Sequence, residues 1–305
     1  MTSDAAPRWA GQPDDGPEHP ARLRVGVIGA GRVGTALAVA LSRAGHRITA
    51  ASAVSDASRE RVRRYLSGTP VIQPADVADV SDLVLLTVPD DVLPGLVHGL
   101  VATAAPLGGR MLMHASGRHG LAVLEPAVQQ GALPLALHPV MTFTGRPEDV
   151  DKLTGATFGV TAPDELRPVA EALVVELGAE PVWVPELARP LYHAALTVGA
   201  NHLVTIVNDA LDLLTQAGVE QPARLLAPLL SAALDNALRL GDIALTGPVS
   251  RGDVATVRTH LATLAQDAPE IVPSYIAMAR RTAQRALSAG RLNAEQAQEI
   301  AKALS

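Results

Sequence analysis

The chain has 305 residues, a net charge of −6 and 48% hydrophobic residues, of which few are aromatic. This length suggests about two domains, and the absence of cysteine excludes disulfides, thiolate catalysis and zinc–sulfur sites. We predict no metal site. The acidic balance argues against a nucleic-acid partner, and no apolar run approaches the roughly 18 residues of a membrane span. We expect a cytoplasmic protein, not bound to membranes, with a small-molecule ligand.

A glycine-rich turn near the start of the chain follows a tail, residues 1–21, whose composition predicts disorder. The apolar run Arg24–Ile28 predicts a buried strand, and a helix is predicted to begin at Arg32. The turn between them reads Gly29, Ala30, Gly31, Arg32, Val33 and Gly34. In this context a G-x-G-x-x-G motif predicts dinucleotide binding: its glycines allow a tight turn, backbone approach to a diphosphate, and packing of the helix on the strand.

The end of the second predicted strand, Arg47–Ala51, bears on the choice between NAD and NADP. NAD-selective proteins usually place a carboxylate there to bind the ribose hydroxyls, and this chain has none at the strand tip. Ser52 and Ser55 offer hydroxyls, and Arg59 carries a charge suited to a 2′-phosphate. We therefore predict NADP (NADPH) as cofactor. Alternatively, Arg59 belongs to a solvated helix face, the interpretation adopted for Arg61, Arg63 and Arg64.

Short apolar runs alternate with helical patterns up to about residue 186, and only helical patterns follow. The fold class predicted is α/β, a Rossmann-type, doubly wound and mostly parallel sheet over 22–186, followed by an all-α domain over 187–305. The later strands are predicted at 83–88, 111–114, 135–137, 157–161 and 181–184. The later helices are predicted at 164–177, 191–217, 221–240, 253–265, 271–289 and 294–304. Apolar helices with little charge favour a homodimer, with packing inside one chain as the alternative.

Three predicted strands end in residues with the chemistry of a binding site. Ligands of such sheets bind at the carboxyl ends of the strands. Val88 and Pro89 are predicted to border the nicotinamide, and Ser116 and His138 follow the next strand ends as candidate catalytic residues. The alternative for each histidine, His114 included, is a structural hydrogen bond.

The helix predicted at 191–217 carries His193, Thr197, Asn201 and Thr205 at intervals of four residues, on one stripe among apolar neighbours. A solvent-facing stripe would carry Lys, Glu or Arg. We predict His193 and Asn201 as catalytic residues and Thr197 as a substrate contact, with Tyr192 pointing away from the stripe. The alternative is a satisfied polar seam between helices.

The segment 245–253 supplies a candidate carboxylate-binding group. Arg251 lies beside a predicted helix start that Asp253 caps, and a guanidinium can hold a carboxylate with two hydrogen bonds. The alternative is an ordinary loop with a good cap. The only lysines, Lys152 and Lys302, lie away from these segments, so a histidine, a hydroxyl or water must act as proton donor.

Several segments together resemble a known family. They are Val27–Gly34, Thr87–Asp91, His114–Gly117, Leu137–Phe143, Tyr192–Ala195, Asn201 and Leu245–Asp253. The resemblance, from Leu23 to about Leu304, is to NADP oxidoreductases with a Rossmann-like domain and a helical domain of long-unassigned function, similar to pyrroline-5-carboxylate reductase and ketopantoate reductase. It implies dimers with a site between the two domains. The helical-domain lysine of ketopantoate reductase has no counterpart here, and His193 stands nearest to that role.

These observations leave three functional hypotheses. The first is an NADPH-dependent reductase of a small carboxylate-bearing carbonyl compound, with ketopantoate as the best single substrate. The second is an imine reductase of the pyrroline-5-carboxylate type, in which a protonated substrate nitrogen removes the need for a strong acid. The third is a non-catalytic, dimeric NADP-binding sensor.

Overall fold

The computed structural model describes residues 22–305, and the predicted disordered tail, residues 1–21, lies outside them. Contacts divide the chain into two compact units, the first ending at Thr197 and the second running from Val198 to Ser305. This division lies beyond the predicted boundary at residue 186, because the helix that begins at Arg189 packs with the first unit. Within residues 22–305, none of the helices combines the length and apolar character that crossing a bilayer demands.

The first unit is built on a seven-stranded sheet in the order β2-β1-β3-β4-β5-β6-β7, all parallel except the antiparallel pair β5 and β6. This confirms the predicted Rossmann-type, mostly parallel α/β fold. The strands are β1 (Arg24–Ile28), β2 (Arg47–Ser52), β3 (Leu83–Leu86), β4 (Met111–His114), β5 (Leu133–Pro139), β6 (Thr157–Thr161) and β7 (Glu180–Trp183). Beyond β2, where a Rossmann sheet commonly continues, a single bridge joins Ala51 to Val71.

Helices cover both faces of this sheet. They are α1 (Arg32–Arg43), α2 (Asp56–Tyr65), α3 (Pro74–Asp79), α4 (Leu93–Ala102), α5 (Glu125–Val128), α6 (Glu148–Asp151), α7 (Arg167–Glu176) and α8 (Arg189–Leu196). Strands β1, β3 and β4 are almost entirely buried, as expected for parallel strands covered on two sides. Helix α7 begins after a 3₁₀ turn at Asp164–Leu166, and no side chain caps it, so the helix start predicted at Asp164 is wrong.

The second unit is helical, as predicted. Its helices are α9 (His202–Gln216), α10 (Pro222–Leu240), α11 (Pro248–Arg251), α12 (Val254–Asp267), α13 (Val272–Ser288) and α14 (Ala294–Ala303). Residues from α11 to α14 form one small core around Val257 and Ala286. In contrast, α9 contains no buried residue and α10 only Leu226.

The helix predicted as continuous from 191 to 217 is interrupted. Helix α8 ends at Leu196, the segment Thr197–Asn201 is a π-helix, and α9 follows from His202. A π-turn holds one residue more than an α-turn, so the four-residue stripe of the sequence argument does not apply unchanged across it. Such turns occur frequently at functional sites.

Candidate active site

The glycine turn places free backbone amides at the carboxyl edge of the sheet. The amides of Gly29 and Ala30 both donate to the Ser52 carbonyl at 3.1 Å, which joins the turn to the end of β2. The first helical bond of α1 runs from the Thr35 amide to the Gly31 carbonyl. The amides of the preceding three residues therefore have no acceptor in the helix, and the positive end of the helix dipole lies with them.

The three motif glycines are required for different reasons. Gly29 has a φ of 93°, which only glycine adopts readily. A Cβ on Gly34 would lie 2.6 Å from the Gly29 carbonyl oxygen and would also overlap the Thr87 hydroxyl. A Cβ on Gly31 would meet no protein atom nearer than 3.9 Å, and its backbone has negative φ. Inside the protein nothing requires glycine at Gly31, so this position fits close approach of a ligand such as a dinucleotide diphosphate.

The other predicted cofactor residues follow the ends of β3 and β2. Val88 follows β3, and its side chain would meet a Cβ on Gly29 at 2.8 Å. Pro89 begins the turn into α4. Ser55 caps α2 by accepting the Ser58 amide at 3.2 Å. The Arg59 guanidinium is half-exposed and partly engaged, at 3.3 Å from the Ala53 carbonyl and 3.5 Å from Asp56.

A second group of side chains lies at the ends of β4 and β5, within the same unit. The Nδ1 atom of His138 is 2.8 Å from the Tyr192 hydroxyl, and the His138 and His193 rings meet edge to face with centroids 6.3 Å apart. Gly117 separates the two histidines: a Cβ there would lie 2.7 Å from His193 and 3.0 Å from His138 Nε2. Among the described residues, neither His138 Nε2 nor the His193 ring has a hydrogen-bond partner.

Tyr192 was not selected from the sequence, since α-helical geometry placed it away from the His193 stripe. It reaches His138 across β6, where Gly159 leaves room: a Cβ on Gly159 would overlap the Tyr192 hydroxyl. Gly159 also pairs with His138 in the sheet register. Glycine inside a strand often marks such a close approach, and this was the available signal for Tyr192.

Arg189 is a second residue that the sequence argument missed. Its side chain is almost completely buried and forms no ion pair within residues 22–305. The guanidinium donates to four oxygens: Thr161 Oγ1 at 2.9 Å, and the carbonyls of Ser116, Ala136 and Gly159 at 3.1, 2.7 and 2.9 Å. Burying a cation that is paired only with neutral acceptors costs folding free energy. No local sequence pattern indicates this site, because the four acceptors are distant from Arg189 in the chain.

Burial and this cation set the charge of the nearby histidines. Burial, assisted by Arg189 and His193, lowers the pKa of His138 to about 4. Burial also lowers the pKa of His114 to about 4, against the hydrogen bond to Gly120. His114 has a structural role: it receives the Ser116 amide on Nδ1 and contacts the Gly120 carbonyl through Nε2. Both imidazoles are neutral near pH 7.

The remaining predicted residues have the following positions. The Ser116 hydroxyl is buried and accepts the His119 amide at 3.0 Å, and the Thr197 hydroxyl donates to the His193 carbonyl at 3.0 Å. Asn201 and Arg251 are exposed residues of the second unit, and Asp253 caps α12 as predicted. In the part of the chain that the structure describes, no three acidic or histidine side chains come together as metal ligands.

Comparison with known proteins agrees with this architecture. Residues 10–139 match the model of a Rossmann-like domain, and residues 156–282 match a domain of unknown function, DUF2520. A glycerol-3-phosphate dehydrogenase [NAD(P)+] of Bradyrhizobium sp. is 30% identical over 256 residues, which cover 76% of this chain and 77% of the relative.

Solved structures show the same fold at lower identity. A Bacteroides fragilis protein, described as a candidate NADP oxidoreductase, is 22% identical with a TM-score of 0.70 and covers 86% of this chain and 98% of its own. An imine reductase from Pseudomonas sp. is 20% identical with a TM-score of 0.61, and the match covers 93% of this chain and 100% of the imine reductase.

Proposed function

We propose that this chain, which belongs to the NAD(P)-dependent oxidoreductases with a Rossmann-like domain followed by a DUF2520 domain, reduces a small carboxylate-bearing carbonyl compound with NADPH. Ketopantoate is the substrate that we propose first. The observation that carries the proposal is the neutral His138, with its Nε2 atom free, beside the buried Arg189 cation. A nearby positive charge favours an oxygen that becomes negative in the transition state and disfavours a cationic iminium substrate.

The turn from Gly29 to Gly34 fits the diphosphate of the dinucleotide, since it offers free amides and open space at Gly31. When bound, NADPH supplies the hydride, and the protein supplies position and charge. Val88 and Pro89 are proposed to border the nicotinamide. The preference for NADPH over NADH is part of the proposal and rests on the arginines near the end of β2 and on the missing carboxylate there.

His138 is proposed to polarise the carbonyl through its Nε2 proton. If the Tyr192 hydroxyl donates to Nδ1, the single proton of the neutral ring lies on Nε2 and is available to the substrate oxygen. His193 is the proposed source of the proton that completes the alcohol, since its ring has no partner among the described residues. Ser116 and Asn201 remain predicted catalytic residues, and Thr197 and Arg251 remain predicted substrate contacts.

Replacing Tyr192 with Phe is expected to lower kcat roughly ten- to a hundredfold, with KM and NADPH affinity nearly unchanged. The phenyl ring keeps the packing against Gly159 but removes the hydrogen bond that fixes both the tautomer and the orientation of the His138 ring. Steady-state kinetics of the purified variant measure the split between kcat and KM. His193→Asn serves as the second variant and should also lose kcat. Full turnover by Tyr192→Phe would remove Tyr192 from the mechanism.

A substrate panel followed by NADPH absorbance tests the function itself. We expect oxidation of NADPH with ketopantoate and none with cyclic imines. Turnover of imines alone would favour the imine reductase, which is supported by the lack of a lysine near the site. Because the Bradyrhizobium relative is a glycerol-3-phosphate dehydrogenase, glycerol 3-phosphate with NADP⁺ is included, and reaction with it alone would replace our substrate proposal. Family membership argues against the non-catalytic sensor, which would bind NADPH without turnover of any compound.

We also propose that the chain forms a homodimer through α9 and α10. These helices expose several large apolar side chains, among them Leu225, Leu229, Leu234 and Leu238, which are 52 to 79% exposed. Leu225 and Leu229 lie on the opposite side of α10 from Leu234 and Leu238, and a helix that is apolar on both sides is usually covered by other protein. Light scattering is expected to give twice the chain mass, and the mass of one chain at micromolar concentration would contradict the dimer.

A further inference from the structure

The Arg189 side chain joins the ends of three strands of the first unit. Its Nη2 atom donates to the carbonyls of Ala136 in β5 and Gly159 in β6. Its Nη1 atom donates to the Ser116 carbonyl beyond β4, and its Nε atom donates to the Thr161 hydroxyl. Four of the five N–H donors are thus used, and the donors of a guanidinium form a planar, rigid fork. One side chain therefore holds four oxygens at fixed separations.

The acceptors lie next to the residues that surround His138. One acceptor carbonyl immediately precedes Gly117, which separates His138 from His193. Another belongs to Gly159, which is paired with His138 in the sheet register and leaves room for Tyr192. A third comes from the residue two positions before His138 on β5. A shift of any of these strand ends would change the distance between His138 and its neighbours.

Arg189 also begins α8, the helix that carries Tyr192 and His193. These two residues follow Arg189 by three and four positions, so all three lie on one face of the helix. The guanidinium carbon of Arg189 is 5.9 Å from the centroid of the Tyr192 ring. The side chain that fixes the strand ends therefore also fixes the start of α8, and with it both members of the 2.8 Å contact between the Tyr192 hydroxyl and His138 Nδ1.

The burial of this cation is not explained by the stability of the fold. Burial lowers the pKa of Arg189, and no carboxylate of residues 22–305 forms an ion pair with it. The acidic residue nearest in the sequence, Glu186, instead accepts the amides of Leu121 and Ala122 at 2.7 and 3.0 Å. Apolar side chains of similar volume often replace buried charges without loss of stability. The geometry that a guanidinium imposes explains its presence better than the stability it adds.

We propose that Arg189 is the positioning residue of this site: it holds the turn at Gly117, His138 and Tyr192 at the separations that keep the Tyr192 hydroxyl on His138 Nδ1. Arg189 acts through His138 and not on the substrate, because its donors are directed to oxygens of the protein. The inference deepens the proposed function and rests on it for the role given to His138 Nε2. The site then requires the shape of the guanidinium and not its charge alone.

Nitrogen NMR of the His138 ring in the full chain, together with steady-state kinetics on the substrate that the panel identifies, tests the inference. The His138 signals are assigned by their absence in His138→Gln. Arg189→Lys keeps a positive charge, but three donors on one nitrogen cannot serve four oxygens at three strand ends. We expect the His138 ring to change from one tautomer to a mixture, and kcat to fall roughly ten- to a hundredfold with NADPH affinity unchanged.

The chain offers a matched control and a second pair of variants. Arg110 precedes β4 at the opposite edge of the sheet and pairs with Asp82, so Arg110→Lys should alter neither the His138 signals nor kcat. Thr161 serves if Arg189→Lys does not fold. Thr161→Val removes the acceptor of Arg189 Nε at nearly the same volume and should change the His138 tautomers in the same direction. Thr161→Ser keeps the hydroxyl and should behave as the wild type.

His138 signals that keep their wild-type positions in both Arg189→Lys and Thr161→Val would overturn the inference. A changed tautomer with unchanged kcat would overturn it too, since the position of the ring would then not serve catalysis. If no compound of the panel is reduced, the proposed function fails. Loss of the single His138 tautomer in Arg189→Lys would still support the positioning role in that case, because the NMR measurement needs no substrate.

Discussion

Replacing Gly31 with Ala is expected to raise the Kd for NADPH roughly a thousandfold, the equivalent of about 4 kcal/mol, because a methyl group would occupy the space of the diphosphate and break several charge-assisted hydrogen bonds. The protein itself tolerates the methyl group, since the nearest protein atom lies 3.9 Å away. The free energy of unfolding should therefore change by less than about 1 kcal/mol, mainly through the poorer helix cap. Calorimetry and chemical denaturation measure the two quantities separately.

Two further variants serve as controls: Gly34→Ala should lower the stability of the fold, and Gly95→Ala should leave NADPH binding unchanged. A methyl group on Gly34 would overlap the Thr87 hydroxyl and the Gly29 carbonyl, so we expect a loss of about 3 kcal/mol in unfolding free energy. Gly95 lies in α4 with open space around it, and its substitution should leave NADPH binding unchanged. If Gly31→Ala bound NADPH as tightly as the wild type, the diphosphate would have to lie elsewhere.

The parts of the fold that follow local rules could be predicted from the sequence. The turn from Gly29 to Gly34 was identified because a strand, the glycines and a helix follow one another directly in the sequence. Asp253 was identified as a helix cap because a capping side chain bonds only to an amide in the next helical turn. The same locality explains where prediction stopped. Arg189 draws its four acceptors from segments 28 to 73 residues away, and no nearby residue reveals them.

Tyr192 shows a different limit. Its position was judged by α-helical geometry relative to His193, on the assumption that one face of the helix serves the site. The contact that matters is made to another strand, and it depends on the antiparallel β6 placing Gly159 beside His138. The orientation of β6 was not determined from its apolar pattern, because buried parallel and antiparallel strands have similar patterns when both faces are covered.

The buried histidines should make the first unit sensitive to mild acid. Burial lowers the pKa of His114 and that of His138 from the 6.5 of a free imidazole to about 4 in the folded chain. Because the unfolded chain takes up these protons first, the stability is fully present above pH 6.5 and is lost as pH falls toward 4. Each histidine accounts for a loss of about 3 kcal/mol over that range. Below pH 4 both states are protonated, and these two groups add no further loss.

Urea denaturation at a series of pH values measures this effect, and substitutions isolate it from the carboxylates that titrate nearby. His114→Gln can retain a donor to the Gly120 carbonyl and an acceptor for the Ser116 amide without binding a proton. Its unfolding free energy should fall about 3 kcal/mol less than that of the wild type between pH 6.5 and 4. His98→Gln is the control, since His98 is exposed on α4. If His114→Gln kept the full pH dependence of the wild type, His114 would be able to take up its proton in the folded chain. The ends of β4 and β5 would then not be the dry, neutral environment on which carbonyl polarisation by His138 depends.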